Sequence, residues 1–491
     1  MKKVLVANRG EIALRVMRTC REMGLSVVAV ASEYDRSAPF AKFADELVLL
    51  GSGPTLSTYL DQDLILNAAR ATRADAIHPG YGFLSENAAF ARRTEEAGLT
   101  FIGPRWQTME LMGLKREAKL HMEAAGVPVV PGYSGSDQDV ATLTREAERI
   151  GFPILVKASA GGGGKGMRVV HEASAFAAEL QTAKREASAA FGNDAVILER
   201  YLADPRHVEF QVFGDGTGRA IHLFERECSI QRRHQKIIEE APSPALNKAL
   251  RQRMAEAAVR AAESVNYLNA GTIEFLVDAD GSFYFLEMNT RLQVEHPITE
   301  MITGFDLVRW QIEIAKGNGL PQDPSQITCR GHAIECRIYA EDPANSFLPQ
   351  TGYVARYVEP KGWGVRMDSG IEQGSEVGVH YDPLLAKLIA FGASREEARS
   401  KMIHALGETV IHGVKTNISF LRHVLAHAAF EAGETTTHFL QRHDIPSNTA
   451  DTWCAAALTA MGQGEHGAHV FSSETSQPGP WERMGQWRLN A

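Results

Sequence analysis

The segment KASAGGGGKGM, Lys157 to Met167, stands between two runs that read as strands, Ile154–Ser159 and Arg168–Val170. Glycine loses more backbone freedom on folding than any other residue, so four in succession make a poor loop on stability grounds. They suit a loop whose backbone amides approach phosphate without side-chain obstruction. Lys157 before the loop and Lys165 within it add positive charge. It is not a Walker loop, because no helix-opening Gly-Lys-Ser/Thr follows and the next segment reads as a strand. A flexible surface hairpin is the competing reading. Outward from the loop, a helix over Ala173–Ala190 and a strand ending at Glu199 complete an α+β lobe over about residues 130–201.

Upstream, Val4–Ala7 reads as a strand, Ile12, Val16 and Cys20 mark one face of a helix, and Val27–Ala31 reads as a second strand. Two apolar strands around a helix predict a parallel α/β unit. The loop HPGYGFLSEN, His78–Asn87, is either a ligand loop at a strand end or a tight turn. Downstream, strands are expected at Val208–Phe213, Ala220–Glu225, Gly271–Val277 and Phe283–Met288, with helices over Leu246–Val265 and Thr299–Lys316. A strand-rich third region starts near Arg330 and closes with helices, one announced by a capping box at Ser394 and Glu397. An alanine-rich helix, Ala450–Met461, leads into GQGEHG and SSETSQPGP, which read as linker.

With 491 residues the chain has room for about three domains. Apolar residues at 44% and charged residues at 23% fit a globular protein and exclude a disordered or fibrous one. A net charge of −9 argues against a nucleic-acid partner or an anionic membrane surface. Five scattered cysteines, Cys20, Cys228, Cys329, Cys336 and Cys454, form neither a disulfide framework nor a zinc site and suit a reducing compartment. The apolar stretch before Asn8 is too short for a signal peptide, and no apolar run has transmembrane length. A cytoplasmic protein is expected.

The stretch GTIEFLVDADGSFYFLEMNTR predicts a hairpin with a four-residue turn, Asp278–Gly281, pairing Val277 with Ser282 and Glu274 with Phe285. Alternation then sets Glu274 and Glu287 diagonally on one face, with Asn289 two residues on. Two acids and an amide among Phe275, Phe283 and Phe285 are costly without a cation, and hard oxygen donors suit Mg²⁺ or Mn²⁺ on a nucleotide's phosphates. A solvated sheet face is the alternative. Next, NTRLQVEHP sets Arg291 and Glu295 at the spacing of an ordinary ion pair, or of an anion clamp with its general base. Finally, ERECSIQRRHQKIIEE crowds Arg226, Arg232, Arg233, His234 and Lys236 beside Glu239 and Glu240, as a second anion site or a salt-bridged surface strand.

Taken together, these motifs resemble biotin carboxylase, the ATP-grasp component of biotin-dependent carboxylases. The resemblance covers approximately Lys2 to Asp444 and rests on ANRGEIA (Ala7–Ala13), HPGYGFLSEN, KASAGGGGKGM, RHVEFQV (Arg206–Val212), QRRHQK (Gln231–Lys236), EMNTRLQVEHP (Glu287–Pro297) and Glu335-Cys336-Arg337, in family order. It implies α/β and α+β architecture in three parts: a Rossmann-like N-terminal domain over 1–113, an ATP-grasp domain over 114–329 with the glycine-rich lid lobe, and a β-rich C-terminal domain over 330–446. Residues 447–491 would be linker and the start of a missing or partner-binding region.

By motif match, the resemblance implies that Lys115, Lys157 and the amides of Gly163 and Gly164 hold ATP phosphates. Glu199, Arg200, Tyr201 and Leu202 would contact adenine, and His207 and His234 would line the nucleotide site. Glu274, Glu287 and Asn289 would bind Mg²⁺ or Mn²⁺, with two sites expected. Lys236, Arg291 and the Val294 backbone would hold bicarbonate, Glu295 would be its base, and Arg337 would face the biotin ureido group. In MGLK, Leu114 replaces an acidic residue common in relatives, which bears on the support of Lys115.

The implied reaction is ATP- and bicarbonate-dependent carboxylation of biotin through carboxyphosphate. The only Met-Lys dipeptide is Met1-Lys2, so no biotin-carrier lysine is present and biotin is expected on another polypeptide, on a further part of the chain, or free. PWERMGQWRLN (Pro480–Asn490) resembles α subunits of methylcrotonyl-, geranyl- or propionyl-CoA carboxylases, which work with a carboxyltransferase β subunit. A homodimer is expected, as relatives commonly dimerise. The rivals are another ATP-grasp carboxylate ligase acting through an acyl phosphate, and a non-catalytic nucleotide sensor.

Overall fold

Val4 and Val6 pack into one apolar core and Leu5 and Ala7 into another, so the first strand is buried on both faces. That is the pattern of a parallel sheet covered on each side. In the computed structural model, which describes residues 1–159, 167–233 and 235–447, five parallel strands build this sheet. They are β1 (Lys3–Val6), β2 (Ser26–Ala31), β3 (Glu46–Leu49), β4 (Ala76–His78) and β5 (Thr100–Phe101), in the order β3-β2-β1-β4-β5. The Gly10–Glu22 helix lies on one face, burying Ile12, Val16 and Cys20 as its spacing predicts.

The lobe holding the glycine loop is a four-stranded antiparallel sheet, β6 (Gly132–Tyr133), β7 (Ile154–Ala158), β8 (Met167–Val170) and β9 (Val196–Arg200), ordered β6-β9-β7-β8. The Val140–Ile150 and Ala173–Phe191 helices cover its apolar side. The loop itself, with Gly163 and Gly164, lies outside the described residues, as do His234 and the tail from 448.

Eight antiparallel strands carry the functional residues: β10 (Arg206–Asp215), β11 (Ala220–Arg232), β12 (Gln235–Ala241), β13 (Leu268–Val277), β14 (Phe283–Asn289), β15 (His332–Tyr339), β16 (Val365–Ser369) and β17 (Leu384–Gly392). Their order is β14-β13-β10-β11-β12-β15-β17-β16. The sheet therefore runs without a break from the central region into the third one, through the pairing of Glu239 with Glu335. Period-two alternation sends Val208, Phe210 and Val212 under the Lys248–Ser264 helix. His207, Glu209 and Gln211 take the opposite face.

The hairpin register differs from the sequence expectation. The turn is one residue longer, closed by the Asp278 N–H donating to the Ser282 carbonyl, so Val277 pairs with Phe283 and Phe275 with Phe285. One extra residue, Leu286, then bulges out, and the pairing resumes with Glu274 directly opposite Glu287. Without the bulge, Glu287 would follow Phe283 and Phe285 into the apolar core.

The single helix expected over Thr299–Lys316 is two, His296–Thr303 and Leu307–Ala315. Gly304, with φ of 76°, ends the first, and the Asp306 carboxylate caps the second. At Ser394 the hydroxyl accepts from the Glu397 N–H, while Glu397 reaches back to the Ala393 N–H rather than to Ser394. Among the described residues no helix is long and apolar enough to cross a membrane.

Candidate active site

Arg226, Glu209, Glu274 and Glu287 are direct cross-strand partners on β11, β10, β13 and β14, so one row across the sheet holds one cation and three acids. Arg226 is fully buried and donates to Glu209 at 2.6 Å. Lys236, from β12, reaches over the row and donates to Glu209 at 2.6 Å, Glu274 at 2.9 Å and Glu295 at 2.8 Å. At Arg226 and Lys236 the cationic segment is salt-bridged inside the sheet rather than on its surface. Arg226 is buried and Lys236 nearly so, and both have carboxylate partners, while Arg233 is exposed.

Glu295 stands at the start of the His296–Thr303 helix and is fully buried. Its second oxygen accepts from Arg337 at 3.0 Å, and Arg337 also donates to Glu239 at 2.6 Å. The four-residue spacing of Arg291 and Glu295 does not form the expected ion pair. Arg291 donates instead to Glu86 at 2.8 Å, to Asn289 Oδ1 at 3.0 Å and to Gln293 at 3.0 Å. Glu86 belongs to the His78–Asn87 loop, so that loop does reach the site. Arg291, Val294, Arg337, Tyr81 and Glu11 line one cavity of about 520 Å³.

The charges shift one another strongly. Burial opposes ionisation of Glu295, yet Lys236, Arg337 and Arg226 hold its carboxyl well below the usual range. Burial likewise works against Glu274, but Lys236 and His207 keep it ionised. The Lys236 ammonium would be weakened by burial, and Cys228 with Glu209, Glu274 and Glu295 raises it well above an ordinary lysine. Burial, and then the charge of Glu274, pushes the Glu287 carboxyl up.

Glu287, Asn289 and Lys115 share a second cavity of about 230 Å³. There Asn289 donates to Glu274 at 2.9 Å and lies 3.4 Å from Glu287. A buried and a partly buried acid in opposition with an amide beside them, one held up by the other's charge, fit a divalent cation with oxygen ligands. His207 lies 2.9 Å from Glu274 Oε2 and 2.7 Å from the Gln231 amide. Toward the lid, Lys157 pairs with Glu199 at 2.6 Å, and so does Lys119 at 3.0 Å. Arg200 donates to the Tyr284 hydroxyl at 2.7 Å, and Leu202 is buried.

Lys119 and Glu209 were not singled out from the sequence. Glu209 was legible in RHVEFQV, where His207, Glu209 and Gln211 alternate with apolar residues. Lys119 carries no such mark in its exposed-looking helix.

Three sheets with a Lys–Glu–Arg cluster beside an acid pair fit an ATP-dependent ligase, the class to which comparison with known proteins assigns the chain. Residues 1–109 match the biotin carboxylase N-terminal domain, residues 115–323 the carbamoyl-phosphate synthase L chain ATP-binding domain, and residues 335–442 the biotin carboxylase C-terminal domain. The chain belongs to the biotin carboxylase family. It is 47% identical to the mitochondrial methylcrotonoyl-CoA carboxylase subunit alpha of Rattus norvegicus, over 99% of this chain and 69% of that subunit. The Oryza sativa counterpart is 52% identical, with 60% of its length spanned. The biotin carboxylase of Allochromatium vinosum is 51% identical over 90% of this chain and 98% of its own. Among solved structures, the biotin carboxylase domain dimer of the Hydrogenobacter thermophilus 2-oxoglutarate carboxylase, in complex with MgADP, ADP and bicarbonate, superposes with a TM-score of 0.86. It is 48% identical and covers 92% of this chain and 99% of that one.

Proposed function

We propose that this chain carboxylates biotin with ATP and bicarbonate, and that Glu295 is the base which starts the reaction. The observation that carries this reading is the placement of Glu295 between Lys236 and Arg337, with Arg337 lining a cavity shared with Arg291 and Val294. Lys236, Arg291 and the Val294 N–H hold bicarbonate. Its arrival takes over part of the Lys236 charge, which makes Glu295 more basic when it is needed.

Glu295 removes the bicarbonate proton, the freed oxygen forms a bond to the γ-phosphorus of ATP, and the β–γ bridging bond breaks to release ADP and carboxyphosphate. Lys115, Lys157 and Lys236 offset charge on the transferring phosphoryl group, which is the main demand of such a step. Glu274, Glu287 and Asn289 would hold Mg²⁺ or Mn²⁺, which supplies further neutralisation on the phosphates. By the family resemblance the segment Glu199–Leu202 would contact adenine and His207 would line the nucleotide site, as would His234 and the amides of Gly163 and Gly164, which lie outside the described residues. Carboxyphosphate then gives CO₂ and phosphate. The phosphate takes the biotin N1 proton, N1 bonds to CO₂, and Arg337 offsets charge on the ureido oxygen. The glycine-loop lobe excludes water from the labile intermediate.

The matched regions support three domains, 1–113, 114–329 and 330–446. Resemblance of the chain to methylcrotonoyl-CoA carboxylase α subunits supports a biotin carrier and a carboxyltransferase β subunit as partners, and the dimeric neighbour supports a homodimer. Free thiols at Cys20, Cys228 and Cys336, all buried, accord with a cytoplasmic setting. Incubation with MgATP, labelled bicarbonate and free biotin should yield labelled carboxybiotin. No label in biotin, with ATP still consumed, would favour another ATP-grasp ligase.

A further inference from the structure

Lys387 is fully buried and has no part in the chemistry above. On β17 it stands directly across from Arg337 on one side and Asp368 on the other. Its ammonium donates to the Val294 carbonyl at 2.7 Å and lies 3.3 Å from Glu11 Oε2. Glu11 in turn accepts from the Tyr81 hydroxyl. Glu11, Tyr81, Val294 and Arg337 all line the same cavity.

Val294 is the last of three consecutive carbonyls held by side chains. Arg291 donates to Leu292 at 3.2 Å, His296 Nδ1 lies 2.7 Å from the Gln293 carbonyl, and Lys387 holds Val294. Among the described residues the Val294 N–H meets no acceptor. Fixing the carbonyls from one side fixes the peptide planes, and with them the direction of that N–H and the entry of Glu295 into its helix. Buried polar groups with all partners supplied hold a single geometry.

We propose that Lys387 is a positioning residue for bicarbonate: by clamping the Val294–Glu295 peptide from behind, it aims the Val294 N–H and the Glu295 carboxylate into the cavity. This rests on the bicarbonate-dependent reading above. A purely structural lysine, present to offset Glu11, would affect stability alone.

The test removes both members of the buried pair, so that no lone charge is left behind. In the full chain, Lys387→Met/Glu11→Gln should raise the KM for bicarbonate in ADP release about tenfold, the loss of one charge-assisted hydrogen bond, and leave the KM for ATP within about twofold. Lys387→Gln/Glu11→Gln, which keeps a donor near the Val294 carbonyl, should recover most of that loss. Calorimetric MgADP binding at parental stoichiometry reports folding. Should the Met variant fail it, the Gln variant decides against the parent: a selective rise in bicarbonate KM of about threefold is the expected result. A bicarbonate KM at the parental value, or bicarbonate and ATP constants moving together, would overturn the role of Lys387. A parent enzyme whose ADP release ignores bicarbonate would overturn the functional reading as well, and is read separately.

Discussion

Glu287 faces Glu274 across β13 and β14 because Leu286 bulges from the strand between Phe285 and Glu287. The bulge rotates Glu287 out of the apolar core and sets two acids in opposition, where a divalent cation relieves the repulsion. Glu274→Gln and Glu287→Gln should each shift the Mg²⁺ dependence of ATP turnover to concentrations about tenfold higher or more. Metal titrations that overlay the parent curve would show that this pair does not bind the cation.

Glu295→Gln keeps the size and hydrogen-bonding reach of the side chain and removes its basicity. Bicarbonate-dependent ADP release should fall by roughly 10²-fold or more, the usual worth of a positioned base. MgADP binding, measured by calorimetry, should stay near the parental value, since Glu295 contacts Lys236 and Arg337 rather than the lid residues. Turnover close to the parent would remove Glu295 from the mechanism.

Arg337→Ala should abolish carboxybiotin formation while ATP binding persists. It also leaves Glu239 and Glu295 without a shared partner, so the variant should melt at a lower temperature. Unchanged carboxybiotin yield in this variant would refute the assigned role.

Glu11 supplies a pH test. Burial pushes its carboxyl up to about 7 from an ordinary 4.5, against the opposing pull of Lys387. A group with a raised folded pKa favours the fold while protonated. Its contribution is complete below pH 4.5 and is lost as the pH rises through about 7. Glutamine at this position does not titrate. Across that window the parent should lose about 3 kcal/mol of stability relative to Glu11→Gln, with a flat difference above it. Thermal melts of both proteins from acid to neutral pH would show this, and a gap that does not move with pH would contradict it.

Much of this site was legible in the sequence because its residues lie in short, unusual strings. The glycine run stands out by composition, the two hairpin acids by alternating with aromatic and aliphatic residues, and Arg337 by its family motif. Exact pairing was not legible, since one residue more in a turn and one in a bulge leave the period-two face unchanged while moving every partner. The break at Gly304 was hidden because apolar spacing continues across Phe305 into the next helix. Distant partners were also invisible: nothing near Arg291 in sequence points to Glu86, 205 residues away, and nothing near Val294 points to Lys387, 93 residues away.

The most direct measurement is steady-state ADP release from MgATP, with and without bicarbonate and with and without free biotin. Release that requires bicarbonate and rises with biotin is the predicted result, because Glu295 acts on bicarbonate and the intermediate waits for the biotin nitrogen. Release that is indifferent to both would contradict the roles given to Lys236, Arg291, Glu295 and Arg337.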